Sequence, residues 1–286
     1  MQDLNTAVRI GLIGDLHGDL GHLLTAVRTM RSRGVRVMIV AGDFGFVWPG
    51  VNYQRTLDKI SRRLDKFGSR LYFVDGNHEW FPELYSYPVG LDGQRRLREN
   101  IIHLPRGYRA LLASGRVLAA LGGANSIDQD ERRTGVDWWP DEVISEGDLA
   151  SLGAEKVDLL VGHDAPSGTP TLDSKLLANE LNLSAEVRAH SLAGRATLKR
   201  AFVSTKPSLY VGGHYHHLVD DRVAFKGGDR VFQSRVVLLD EGGREKFYLA
   251  IVDVETLSVR LFDGTGRPYR DRLTTYSAVG ADDSMD

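Results

Sequence analysis

Short apolar runs and helix-period stretches alternate through the first quarter of the chain. Residues 8–13 form an apolar run broken by Arg9 and closed by Gly14. Leu20, Leu23, Leu24, Val27 and Met30 then recur at helical spacing, with Gly34 placed to stop the helix. Residues 35–41 predict a second strand. After Pro49, Leu57, Ile60, Leu64 and Phe67 mark one face of a second helix, and residues 71–74 read as a third strand. This order implies parallel pairing with right-handed crossovers. The second half is richer in strands. Residues 111–113 and 116–121 flank a Ser114-Gly115 hairpin signal, and residues 157–161 and 209–211 are apolar runs that each lead into glycine. Residues 184–202 between them look helical. Residues 235–240, 247–254 and 258–262 predict antiparallel strands around Gly242-Gly243 and a Glu255-Thr256 turn. The pattern predicts an α/β protein with mixed sheets.

Composition narrows the chemistry more than the fold. The 286 residues are 42% hydrophobic and 26% charged, and at this length roughly 75% of the unfolded surface is removable. Stability therefore needs neither disulfides nor a structural metal. The absence of cysteine excludes a disulfide framework, thiolate zinc, iron–sulfur ligation and a cysteine nucleophile, and leaves nine histidines for softer metal work. A net charge of −2 gives no global field pointing to nucleic acid or anionic membrane. There is no basic and apolar leader, no repeat and no apolar stretch of membrane-spanning length, so a cytoplasmic protein without a membrane partner is expected. One domain is expected over residues 1–263, followed by a weakly ordered tail, 264–286, where apolar periodicity is lost.

The residues just beyond each strand are more informative. The chain reads Gly14-Asp15-Leu16-His17-Gly18, Gly42-Asp43, Gly76-Asn77-His78-Glu79, Gly162-His163 and Gly213-His214-Tyr215-His216. Five times a glycine at a strand end is followed at once by an oxygen or imidazole ligand type. Ligands of open α/β sheets collect at the carboxyl ends of the strands. Residues at i and i+2 of an extended segment share a side, so Asp15 with His17, and His214 with His216, can act together. The candidate ligands are Asp15, His17, Asp43, Asn77, His163, His214 and His216, with His78 left over. Seven donors are too many for one tetrahedral ion and too rich in nitrogen for Mg²⁺ or Ca²⁺ alone. They suit two borderline ions such as Mn²⁺, Fe²⁺ or Zn²⁺ sharing one carboxylate. Two ions about 3.5–4 Å apart can bind a phosphoryl oxygen, generate a hydroxide nucleophile near neutral pH and stabilise an in-line displacement.

This order of motifs resembles the calcineurin-like metallophosphoesterase family, whose blocks Asp-x-His, Gly-Asp, Gly-Asn-His-(Asp/Glu), Gly-His and Gly-His-x-His all occur in sequence between Asp15 and His216. The resemblance implies a four-layer α/β/β/α sandwich of two mixed β-sheets flanked by helices. It implies a first metal on Asp15, His17 and His216, a second on Asn77, His163 and His214, and Asp43 as the bridge. It also implies that His78 is a proton donor to the leaving oxygen rather than a ligand. Protein phosphatases of this superfamily look like Gly-Asp-x-x-Asp-Arg-Gly at the second block, whereas this chain has Gly42-Asp43-Phe44-Gly45-Phe46-Val47-Trp48. The acid that would orient the histidine and the arginine that would grip phosphate are both absent from that block, so those subfamilies are disfavoured and His78 has no assigned partner.

The segment 122–140 holds further candidates. It combines a polar Gly-Gly-x-x-Ser-x-Asp stretch with Trp138-Trp139-Pro140, and small bacterial and phage-type phosphoesterases have similar segments. Asn125, Arg132 and Arg133 are expected to contact substrate, as is His217 beside the ligand pair. Trp48, Trp138 and Trp139 are more naturally core packing than base-stacking platforms. His22, His103 and His190 have no ligand companions and read as ordinary histidines. Arg55, Lys59, Arg62, Arg63 and Lys66 form a basic helix face, but Asp58 and Asp65 interleave and a solvated surface is the simpler reading. The expected function is a metal-dependent phosphoesterase, foremost a phosphodiesterase acting on small diesters such as cyclic nucleotides with two divalent ions, Mn²⁺ first and Fe or Zn next. A nuclease, with nucleic acid as substrate only, and a scaffold with a purely structural metal are the alternatives. Oligomeric state leaves no trace in the sequence.

Overall fold

The computed structural model describes residues 2–50, 52–227 and 230–269. The first half contains β1 (Arg9–Ile13), α1 (Leu20–Ser32), β2 (Val37–Ala41), α2 (Tyr53–Phe67), β3 (Arg70–Val74), α3 (Phe81–Ser86), β4 (Arg95–Arg98), β5 (Ile101–His103), β6 (Arg109–Leu111) and β7 (Val117–Leu121). The second half contains α4 (Glu146–Leu152), β8 (Leu159–Gly162), α5 (Pro170–Leu177), α6 (Ala185–Thr205), β9 (Leu209–Gly212), β10 (Val219–Gly227), β11 (Arg230–Leu238), β12 (Leu249–Asp253) and β13 (Val259–Phe262).

The strands build two mixed sheets, a seven-stranded one in the order β13-β12-β1-β2-β3-β5-β4 and a six-stranded one in the order β10-β11-β9-β8-β7-β6. In the first, β1, β2, β3 and β5 run parallel. In the second, β7, β8, β9 and β11 run parallel. The antiparallel pairs lie toward the margins, including the β6–β7 hairpin at Ser114-Gly115 and the β12–β13 pair. Successive side chains point to opposite faces, so each central strand feeds two cores. Leu12, Ile39 and Tyr72 pack against Ala120, Leu159 and Val211 between the sheets. Ile13, Met38 and Phe73 meet Leu23 and Val27 of α1 and Leu57, Ile60 and Leu64 of α2. On the far side Leu160 and Tyr210 meet Leu172 of α5 and Leu198 and Phe202 of α6. Three cores make four layers, α/β/β/α, and burial on both faces explains why the parallel strands read as unbroken apolar runs. Each fully buried Leu or Phe contributes about 1.5–3 kcal/mol.

Local capping agrees with the sequence. Asp19 caps α1 by accepting the His22 N–H at 2.8 Å, Asn52 caps α2 through Arg55, and Ser184 caps α6 through Val187. Gly68 ends α2 in the left-handed region at φ 60°. One strand expectation is corrected. Gly242-Gly243 does not turn a hairpin, because β11 ends in one sheet and β12 begins in the other. The connection passes under the site instead, where the Gly242 N–H donates to the Asp15 carbonyl at 2.8 Å. Strands β4, β5 and β10 were not legible; charged residues interrupt β4 and β10, and β5 has only three residues. Of the expected tail, 264–269 folds back along β13, with the Tyr269 N–H on the Leu261 carbonyl. Residues 270–286 lie outside the described residues. No helix among the described residues is long and apolar enough to cross a membrane.

Candidate metal centre

Because β1, β2 and β3 run parallel in one sheet and β7, β8 and β9 in the other, their carboxyl ends meet at one rim. Every candidate ligand stands there. The His216 Nε2 lies 3.2 Å from Asp15 Oδ2 and 3.0 Å from His17 Nε2. The His163 Nε2 lies 3.2 Å from Asp43 Oδ1 and 3.1 Å from Asn77 Oδ1. Asp43 also places Oδ2 3.7 Å from His17 Nε2, so its two oxygens face the two halves of the cluster. The donor atoms of Asp15, His17 and His216 lie within 4.8 Å of one another, as do those of Asp15, Asp43 and His163. The His214 ring lies beside His163, tilted by 59° at 5.1 Å between centroids.

The donor set fits a pair of divalent ions on several grounds. Asp15 Oδ1 is buried with no hydrogen-bond partner, an arrangement that costs free energy unless a cation completes it. The histidines are anchored by the ring nitrogen that faces away from the cluster: His163 Nδ1 on the Ala41 carbonyl at 2.7 Å, His214 Nε2 on the Asn125 carbonyl at 3.1 Å, and His216 Nδ1 near Glu241 at 3.5 Å. Such partners orient metal-binding imidazoles. His17 (φ 45°), Asp43 (φ 48°), His214 (φ 74°) and His216 (φ 52°) all sit in the left-handed region, so backbone strain is concentrated on the candidate ligands. The neighbouring glycines are required for space. A Cβ on Gly213 would stand 2.0 Å from Asp15 Oδ1, and one on Gly76 would stand 2.1 Å from Asp43 Oδ1. Glu79 turns away from the cluster and accepts the Phe44 N–H at 2.8 Å, bracing the loop that carries Asp43.

Electrostatics describe a cradle that seeks positive charge. Burial works against ionising Asp43, but His163, His78 and His17 outweigh it and hold the carboxyl well below its usual range. Burial likewise opposes charging His163, yet Asp43 and Asp15 raise it to about 10. His214 is driven far down by burial and by neighbouring His163, which keeps it neutral as a ligand must be. The folded value of His163 lies above the ~6.5 of an unfolded chain, so this group stabilises metal-free protein fully below about pH 6.5. That contribution disappears as the pH rises toward 10. Chelator-treated protein is therefore expected to melt at progressively lower temperature from pH 6.5 to 10, and added Mn²⁺ to flatten the trend. A chelated protein whose melting temperature is constant over that range contradicts the prediction.

The segment after β7 supplies functional residues that sequence reasoning missed. Asp128 Oδ2 stands 3.2 Å from His78 Nε2, giving that histidine the acidic partner missing from the second block. Burial lowers the His78 pKa, but Asp43 and Asp128 together raise it above the ordinary value. Ser126 accepts from Asn77 Nδ2 at 3.1 Å and donates to the fully buried Glu142 at 2.5 Å, so Asn77 Oδ1 is turned toward the cluster. Ser126→Ala is expected to weaken metal affinity about 10–100-fold with the fold intact, measurable by metal titration; unchanged affinity would show that the hydroxyl does not orient Asn77. Two of the candidate substrate contacts are engaged by this network. Arg132 is nearly buried and spends its guanidinium on the Asn77 carbonyl at 3.0 Å, Ser126 Oγ at 2.6 Å and the Asp137 carbonyl. Asn125 is buried, with its amide on the His190 carbonyl and its own carbonyl on His214. Arg133 is exposed, and His217 points Nδ1 back to the His216 carbonyl at 2.7 Å. The available signal was Gly122-Gly123, a further glycine-terminated strand end.

A cavity of about 320 Å³ opens beside the cluster, lined by His17, Gly18, Gly45, Phe46, Trp48, Thr56 and His78. Trp139 is buried as core packing and meets Trp48 edge-on at 5.9 Å, holding the half-exposed Trp48 ring in the cavity wall.

Comparison with known proteins is consistent with these features. The family model for calcineurin-like phosphoesterases matches residues 8–218. The chain is similar in fold to the crystal structure of the Thermus thermophilus protein TT1561, at 14% identity and a TM-score of 0.52, covering 90% of this chain and 98% of that one. It is also similar to a dimetal phosphatase from Danio rerio, at 14% identity and a TM-score of 0.51, covering 91% and 96%. No protein with a curated description matches the sequence. With its motifs in order, its two mixed sheets layered between helices and its donors gathered at one rim, the chain belongs to the calcineurin-like phosphoesterase family.

Proposed function

We propose that this phosphoesterase acts on phosphodiesters and uses Mn²⁺ or a similar borderline ion pair. The observation that carries the proposal is the convergence of Asp15, His17, Asp43, Asn77, His163, His214 and His216 on one cluster, with His78 at its edge. The family implies a dinuclear divalent centre, and the residues fit one: Asp15, His17 and His216 would hold one ion, Asn77, His163 and His214 the other, and Asp43 would reach both. When bound, the ions supply Lewis acidity toward the phosphoryl oxygens and a nucleophile drawn from water at neutral pH.

The chain's own residues do the rest. Ser126 fixes the Asn77 amide, Asp128 fixes the His78 ring through Nε2, and Nδ1 is then the nitrogen free to hand a proton to the departing oxygen. The absence of a lining cation favours diesters over monoesters. Among the described residues neither Arg nor Lys lines the cavity beside His17 and His78, and the nearby Arg132 is committed elsewhere. A diester carries one negative charge where a monoester carries two, so it asks less of a site without a fixed cation. Protein loaded with Mn²⁺ should hydrolyse bis(p-nitrophenyl) phosphate well above an Asp43→Ala control and faster than p-nitrophenyl phosphate. Turnover no greater than the control on either substrate sinks the proposal.

A further inference from the structure

The basic face of α2 is not an evenly solvated surface. Asp58 and Asp65, which interleave with the cations in sequence, turn toward the β4–β5 side, where Asp58 meets Arg98 Nε at 2.7 Å and Asp65 accepts from Asn100 Nδ2 at 2.7 Å. Lys59, Arg62, Arg63 and Lys66 are left facing α1 and, with Leu20 and Leu24, line a groove of about 440 Å³. All four cations are exposed, and none has an acidic partner among the described residues. The opposing helix brings one acid at its N-cap, Asp19, which is engaged by the His22 N–H at 2.8 Å. Residues 20–32 contain no acid, and Arg28 and Arg31 continue the row that begins at Leu20 and Leu24. The Arg31 guanidinium lies 4.4 Å over Phe67, which closes the far end of the groove with a further cation.

The near end lies on the same two chain segments as the cavity beside the metal centre. Gly18 and Thr56 line the cavity beside His17 and His78, and Leu20 and Lys59 lie only two and three residues further along the chain. From Thr56 to Lys66 the helix rises about 15 Å, long enough for more than one phosphate of a single strand to lie along it. A row of unpaired cations leading away from a site with an aromatic wall is how sequence-tolerant proteins hold single strands, the groove following the phosphates and the ring stacking a base. We infer that the substrate is a short single-stranded oligonucleotide whose scissile phosphate sits at the metal centre, whose adjoining base meets Trp48, and whose next phosphates follow the α1–α2 groove. This inference rests on the phosphodiesterase reading and names its substrate class. The overall charge of −2 hides the groove because acids elsewhere offset it.

Anisotropy of a labelled, cleavage-resistant phosphorothioate octanucleotide on Mn²⁺-loaded protein tests the groove separately from turnover. If each of the four groove cations neutralises a phosphate, log K should fall with log salt at a slope of roughly −3, which is roughly a 50-fold loss between 50 and 200 mM salt. Lys59→Glu combined with Arg63→Glu should weaken binding at least tenfold, flatten that slope and leave bis(p-nitrophenyl) phosphate turnover unchanged. Unchanged binding in the variant overturns the inference. So does a slope near zero in the unaltered protein, which needs no variant to fold. Equal competition by inorganic polyphosphate of matched charge overturns the assignment to nucleic acid in favour of a general anion surface. If the octanucleotide responds as expected while no diester is hydrolysed, the groove stands and the catalytic reading of the metal centre falls.

Discussion

Replacing His78 with alanine is expected to slow hydrolysis of a diester with an alkyl leaving group by roughly 10²–10⁴-fold, while metal stoichiometry stays as in the unaltered protein. The ring adjoins the cluster, 4.8 Å between centroids from His17, and the residue's backbone N–H donates to Asp43 Oδ1 at 2.8 Å. The donor atoms of His17, Asp43 and His78 also lie within 4.8 Å of one another, so metal stoichiometry in the variant separates a proton donor from a ligand. The proposed role as a proton donor has a signature that a structural or ligand role lacks. An alkoxide cannot leave without a proton, whereas a dinitrophenolate can, so the loss should shrink toward nothing with the better leaving group. Asp128→Asn should give the same leaving-group pattern with a smaller loss. Because Asp128 helps raise the His78 pKa, that substitution should also pull the alkaline limb of the pH–rate profile to lower pH. A loss of equal size for both leaving groups, or a loss of bound metal, contradicts the assignment.

The second large effect is on stability. Asp75, the residue before Gly76-Asn77-His78, is fully buried between Arg106 Nε at 2.8 Å and His103 Nε2 at 3.0 Å. Arg106 is itself nearly buried and ties the carbonyls of Asp141, Glu142 and Val143 to the same point. Asp75→Ala removes the fully buried counter-charge and leaves Arg106 with only the partly exposed Asp148 at 3.0 Å, while His103 loses its acceptor, a change expected to destabilise by about 2–3 kcal/mol. Burial alone would raise the Asp75 pKa, but Arg106 and His103 hold it far below the usual carboxylate range. Its folded value is therefore depressed. The stabilising contribution is complete above the unfolded value of ~3.9 and is lost as the pH falls through the folded one. Urea unfolding at pH 7 should show the full deficit. A deficit under about 1 kcal/mol there would mean that Arg106 is solvated in the variant.

The convergence of the candidate ligands was legible because metal chemistry restricts both residue type and place. Asp15, Asp43, Asn77 and His163 each follow a strand-ending glycine, and the structure shows that the glycine next to one ligand makes room for another. Ser126, Asp128 and Glu142 were not legible, since they act through a hydroxyl and two carboxylates whose targets depend on the path of a long loop. The partners of Arg132 were hidden for the same reason: sequence gives its charge but not that it points inward to the Asn77 carbonyl. On α2 the alternation of Lys59, Arg62, Arg63 and Lys66 with Asp58 and Asp65 looked neutral, and only the partners Arg98 and Asn100 reveal that the two signs face different ways. His103 read correctly as an ordinary hydrogen-bonded histidine, though its partners Arg95 and Asp75 come from tertiary packing.

The central claim is that two divalent ions share Asp43 at the meeting point of the two sheets. Anomalous diffraction from crystals soaked in Mn²⁺ tests it most directly. The account predicts two peaks about 3.5–4 Å apart, one beside Asp15, His17 and His216, the other beside Asn77, His163 and His214, with Asp43 reaching both. A single peak at saturating Mn²⁺, or two peaks of which neither touches Asp43, would contradict it.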